Sequence, residues 1–221
     1  MGVSSLITKR FSIIDEESTS YEYFVGISRI EIHSEMVLED FFRYITNLNA
    51  RDLVMAQFIN EKYILNQEHV FNACYFVQKT FKNKTNISNN PYIELFLYLA
   101  GNRQIKVGID AFGITKELAE KGKLTFCLLS EENNIPERFE ETLTELNATE
   151  IDFNINQLSL DKFHRIKSLF GITDLQMKST LTSCGMESNK GKLTDFDIKH
   201  LFISLNDLIC EKMALLSLEN K

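Results

Sequence analysis

Cysteine is scarce in this sequence and none of it is paired. Cys74, Cys127, Cys184 and Cys210 lie far apart in 221 residues, with no Cys-x-x-Cys spacing. That argues against a zinc site and a disulfide framework, and for a reducing compartment: the cytoplasm, or also the nucleus if the cell is eukaryotic. No apolar run reaches membrane-spanning length, and no secretory apolar segment stands at the start. Internal repeats and low-complexity tracts are missing, and the length suits one domain or at most two small ones. The signatures of catalysis are missing too: there is no Gly-rich phosphate loop, no Gly-x-Ser-x-Gly, no His-Glu-x-x-His and no Cys–His pair at motif spacing. His164-Arg165-Ile166 lacks the Asp and downstream Asn of a kinase catalytic loop. With no set of nucleophile, base and orienting group in view, the expectation is a protein that performs no reaction and carries no metal or cofactor. Cations are the minority, and the net charge of -7 speaks against general stickiness for nucleic acid.

What remains is ordinary globular material, 44% hydrophobic and 25% charged. Residues 1–20 are polar and rich in Ser and Glu, and are expected to be a loosely held extension ahead of a single domain over 21–221. The β-branched run Phe24–Ile32 favours a strand, and Leu53–Ile59 a second. Between them Ser34 is placed to cap a helix from Glu35 to Leu48, with Val37, Phe41, Tyr44, Ile45 and Leu48 as its buried stripe. A helix from Asn66 or Gln67 to Phe81 follows, with His69 in its first turn as a capping or packing residue. Leu124–Ser130 reads as a buried strand, Pro136 opens a helix to Leu146, Ile151–Ile155 is a further strand, and a helix over Leu160–Phe170 closes at Gly171. Thr194 is positioned to cap a last, long helix. Strands alternating with helices predict an α/β (α+β) fold, a central mixed β-sheet covered by helices.

The stretch Glu94–Ile114 organises this reading. Ile93, Phe96, Leu97 and Ala100 share one face of a short helix, Gly101-Asn102 interrupts it, and a second helix carries Ile105, Ile109 and Phe112 at spacings of four and three. Gly113 stands where a left-handed C-cap would be. Between the two apolar faces lies Asn102-Arg103-Gln104, at a helix start whose N–H groups and dipole favour an anion. The surrounding segment is unlike the rest of the chain. From His69 to Ile109 it has five cations (Lys79, Lys82, Lys84, Arg103, Lys106) and one acid, Glu94. A basic segment on an acidic protein is what selective contact with a polyanion needs. In the last helix Ile198, Phe202, Leu205, Ile209, Met213 and Leu216 form one stripe, and Leu201, Leu208 and Leu215 a flank, with Leu218 beyond. That arc is wider than one sheet contact requires. It is open to two readings: burial on two sides, or an exposed remainder that docks a partner.

The run Leu95-Phe-Leu-Tyr-Leu-Ala-Gly-Asn-Arg-Gln-Ile105 with Phe112-Gly-Ile114 resembles the signature of the Cgi-type, kinase-binding (TPRKB) subunit of the KEOPS complex. Ala56-Gln-Phe-Ile-Asn60, Gln67-Glu-His-Val70 and Ala73 agree with it. The resemblance implies a non-catalytic subunit of the assembly that makes the threonylcarbamoyl modification on the tRNA adenosine beside the anticodon. It also implies two partners: the complex's small atypical kinase, and tRNA held by its acceptor 3′ end. Two surfaces are expected accordingly. Lys82, Lys84, Asn102, Arg103, Gln104 and Lys106 would hold the tRNA, the lysines neutralising phosphates and Arg103 with the amides reading unpaired 3′ bases. Leu208, Leu215 and Leu218 would meet the kinase. The alternative is a stand-alone protein-interaction module with no role toward RNA.

Overall fold

Leu124-Thr-Phe-Cys-Leu-Leu-Ser130 carries no polar alternation because it lies inside the sheet and under helices on both faces. In the computed structural model, which describes residues 5–15, 17–51, 54–183 and 195–218, it forms β4 (Lys123–Ser130), with every residue after Lys123 buried. β4 runs antiparallel between β2 (Ser20–Ile32) and β3 (Met55–Ile59), pairing Phe24 with Ser130 on one side and Met55 with Leu129 on the other. β2 and β3 are therefore parallel to each other but separated, a split βαβ arrangement. The other edge of β2 is shared. β1 (Ile7–Ile14) covers Ser20–Ile27 and β5 (Ala148–Ile151) covers Arg29–Ile32, both antiparallel.

The α+β class is as predicted, with a refinement: every described pairing is antiparallel, so the sheet is not mixed. Strand–helix–strand alternation suggested neighbouring parallel strands, but β4 enters between β2 and β3 and removes the parallel contact. The N-terminal expectation is corrected for residues 7–14, which form an edge strand. Ile7, Lys9, Phe11 and Ile13 face inward. Lys9 hides the alternation: it lies over the Phe71 ring and forms an ion pair with Glu68, burying its stem while keeping its charge satisfied. Leu53, the predicted start of β3, and Thr194, the predicted cap, lie outside the described residues, as do residues 184–193.

Helices cover both faces. On one side are α1 (Leu38–Asn49), α5 (Lys116–Lys121) and α6 (Ile135–Glu145). Their Phe41, Ile45 and Phe139 pack on Phe58, Phe126 and Leu128 of the sheet. Phe58 meets Phe126 at 4.9 Å between ring centroids and Phe41 edge-on at 5.3 Å. Val37 and Tyr44, expected in that stripe, are exposed and half-buried respectively, and Ser34 donates to Leu146 O instead of capping the helix. On the opposite face lie α2 (Gln67–Lys82), α3 (Pro91–Ala100), α4 (Ile105–Phe112), α7 (Leu160–Leu169), α8 (Asp174–Ser183) and α9 (Asp195–Leu218). Their core joins Val70 and Val77 of α2, Leu97 of α3, and Leu205, Ile209 and Met213 of α9 to Val25, Met55, Cys127 and Leu129 of the sheet.

α3 and α4 touch backbone to backbone. The predicted buried face of α4 is corrected: Ile105 and Ile109 are 44% and 42% exposed, while Gly108, Ala111 and Phe112 are buried. Small residues face α3 because the helices approach too closely for isoleucine. A Cβ on Gly108 would stand 2.8 Å from Phe96 O. Gly108→Ala is therefore expected to destabilise the fold by about 1–3 kcal/mol, the usual cost of overpacking a close contact, read as a lower urea midpoint. An unchanged midpoint would mean that α4 moves away from α3 without cost.

Candidate functional site

The site is a corner where α3 ends, α4 begins and the last turns of α9 pass beside both. α3 ends because Gly101 takes the left-handed conformation, φ 54°. Its N–H donates to Tyr98 O at 3.0 Å, and the N–H of Asn102 donates to Leu97 O at 3.1 Å. These are the two bonds of a Schellman motif. Asn102 Oδ1 then accepts the N–H of Gln104 at 2.9 Å and turns the chain into α4, whose first turn has no side-chain cap. Gly113 corrects the sequence reading. Its φ is -71°, in the extended region, and glycine is required there because a Cβ would meet Ile109 O at 2.6 Å.

The corner leaves Arg103 and Gln104 exposed and Asn102 half-buried. With Gly101, Lys212, Leu215 and Leu216 they line a shallow depression of about 350 Å³. Among the described residues two cations line it and no carboxylate does. A side chain at Gly101 would press on Lys212 Cβ at 3.2 Å and on the Phe170 ring at 3.4 Å, so α9 and the end of α7 hold the corner from behind.

The remaining predicted residues divide. Lys106 is exposed beside the depression and loosely paired with Asp110 at 3.8 Å. Lys84 is exposed in the loop after α2, in the left-handed region at φ 56°. That loop is anchored to α3 by Glu94, which is fully buried. The Glu94 carboxylate accepts the N–H of Ile87 at 3.0 Å and of Ser88 at 2.7 Å. Burial pushes its carboxyl up from the ordinary value; those N–H groups and then the charge of Arg103 pull it back down. Lys82 does not join the group. Its ammonium lies 3.7 Å from the centroid of the Tyr21 ring and 3.3 Å from Glu131, so it is directed to the end of β2 and committed there.

On α9, Leu208 is corrected from docking residue to core: it is 9% exposed and packs in the large cluster. Leu215 and Leu218 are 51% and 57% exposed, as a docking face requires. Leu215 also lines the depression, so the two surfaces read separately from the sequence share an edge. Lys212 is the residue the sequence reading missed. It stands three before Leu215 and so on the same helical face, a signal obscured by counting only apolar positions.

His69 is structural. Asn66 Oδ1 caps α2 through the His69 N–H at 2.9 Å. The buried ring accepts the N–H of Leu65 at Nδ1, 3.2 Å away, and donates from Nε2 to Leu99 O at 2.9 Å. Burial lowers its pKa to about 4. The ring packs edge-on against Phe112 and Phe170, so it locks α2, the end of α3 and α4 behind the corner.

Among the described residues no group of three or more His, Cys, Asp or Glu could hold a metal ion, and no helix is long and apolar enough to cross a membrane. Residues 31–217, well over half of the chain, match the family model described as "Kinase binding protein CGI-121". No curated protein matches the sequence.

Proposed function

The chain belongs to the CGI-121 family of kinase-binding proteins, and on that premise we propose that it is a non-catalytic cytoplasmic subunit of the KEOPS assembly. In this reading it docks the small atypical kinase of that complex through α9 and holds tRNA by its acceptor 3′ end while its neighbours carry out threonylcarbamoyl modification. The observation that carries the RNA half is the corner depression: Arg103 and Lys212 with the side-chain amides of Asn102 and Gln104, and no carboxylate lining it among the described residues. A guanidinium beside amides suits unpaired bases, which offer both hydrogen-bonding edges and faces for stacking. The cations supply the phosphate attraction that the net charge of the chain denies to the rest of its surface. The exposed Leu215 and Leu218 supply apolar contact area beside it.

Binding to whole tRNA and to tRNA lacking its 3′ end tests the reading. Whole tRNA is expected to bind more tightly, and Arg103→Ala to cost about 1–3 kcal/mol, or roughly 5- to 150-fold in affinity, if Arg103 stacks on or pairs with a base. Equal affinity for the two RNAs, or no effect of Arg103→Ala, would overturn the acceptor-end assignment. Kinase capture without any tRNA binding would leave a protein-interaction module in its place.

A further inference from the structure

A second cavity, sharing no lining residue with the corner, opens between the C-terminal half of β2, the 3-10 turn Glu61–Tyr63 and the start of α7. Its volume is about 470 Å³, within the range of about 300–1,000 Å³ typical of small-molecule sites. Four cations line it, Arg29, Lys62, Lys162 and Arg165, against two carboxylates, Glu61 and Asp152. Glu61 is already engaged: one oxygen takes Arg29 at 3.1 Å and the other accepts from Thr125 Oγ1 at 3.1 Å. The cavity therefore holds an excess of positive charge with little left to balance it.

These cations are built in. The Lys162 ammonium is fixed by Ile155 O at 2.6 Å, and burial first, then the charge of Arg165, lowers its pKa to about 8. Arg165 Nε donates to Lys62 O at 3.0 Å, which sets the plane of its guanidinium and leaves its terminal nitrogens for other partners. Arg29 Nε is buried with no hydrogen-bond partner among the described residues. Lys162 and Arg165, adjacent cations in a partly dry cleft, cost stability, and an anion placed between them relieves that cost. The Ser159-capped N-terminus of α7 borders the same space and adds its dipole in the same sense.

We propose that this cleft binds a small phosphate monoester, recognised as a dianion by the Arg29 and Arg165 guanidinium groups with Lys62 and Lys162. A dianion matches the excess of cations over carboxylates, and planar guanidinium forks suit bidentate contact with phosphate oxygens. Titration of the full chain with ribose 5-phosphate, adenosine 5′-monophosphate, inorganic phosphate, sulfate and adenosine, followed by calorimetry and amide chemical shifts, tests it. The esters are expected to bind and to shift amides of β2 and α7, and adenosine to do neither. Lys62→Gln combined with Arg165→Gln is expected to weaken ester binding by about tenfold or more, since both lost contacts are charge-assisted. Arg103→Ala, in the other site, is expected to leave it unchanged. No ester binding at millimolar concentration overturns the proposal. So does sulfate binding as tightly as the esters, or a double variant that binds them as the natural chain does.

Discussion

Leu215→Glu together with Leu218→Glu is expected to abolish capture of the kinase while the protein stays folded. Both side chains are more than half exposed, so replacing them removes little buried apolar area, and the melting temperature is expected to change by no more than about 2 °C. At an interface the effect is larger. A leucine that fills a partner's apolar pocket is worth about 2 kcal/mol or more, and a carboxylate in its place must also be desolvated. The combined loss is about a hundredfold or more in affinity, read by co-purification from the native cell and by direct titration with the purified kinase. Leu208→Glu is the contrast. It places a charge in the core beside Leu205 and Ile209 and is expected to unfold the chain. If the double variant captures the kinase normally, the docking face lies elsewhere; Ile105 and Ile109 on α4 are another exposed apolar pair at helical spacing.

Mild acid is expected to lower the stability of the fold through His69. Its ring is neutral and fully buried in the fold, with its pKa lowered from 6.5 to about 4. Because the folded value lies below the unfolded one, the unfolded chain binds the extra proton between them. The contribution is therefore fully present above pH 6.5 and is lost as the pH falls toward 4. The full shift is worth about 3 kcal/mol, and about 2 kcal/mol of it is gone by roughly pH 5. Urea unfolding near neutrality and near that lower pH measures the difference. In His69→Gln the pH dependence is expected to shrink by about that amount, whatever the variant's stability at neutrality. A variant that keeps the full acid sensitivity would assign it to other groups.

The sequence resolved the parts of the fold where one physical signal dominates. β2, β3 and β4 were legible because strands buried on both faces read as apolar and β-branched runs, and α2 was legible from its asparagine cap and regular stripe. Where a residue serves two environments the pattern misled. Lys9 faces inward yet keeps its charge paired, which concealed β1. On α4 the isoleucines keep helical spacing but point outward, since the contact with α3 admits only glycine and alanine. Leu208 and Leu215 belong to one line of α9, and only the wrap of the neighbouring helices separates core from surface. Lys82 counted toward the basic segment, but Tyr21 and Glu131, distant in sequence, claim it. The corner itself was visible as Gly101 followed by three polar residues. The nearness of Lys212 and Leu215 was not, because it arises from tertiary packing of α9.

The placement of β4 between β2 and β3 imposes an order on biogenesis. As the chain leaves the ribosome, β2 and β3 emerge early, with apolar side chains on both faces and the edges that β4 will cover still open, and four helices are made between β3 and the strand that joins them. Hydrogen bonding across the middle of the sheet cannot close until Ser130 has been synthesised. Translation that halts before that point leaves the edges of β2 and β3 that β4 would cover with only each other, or another nascent chain, to pair with.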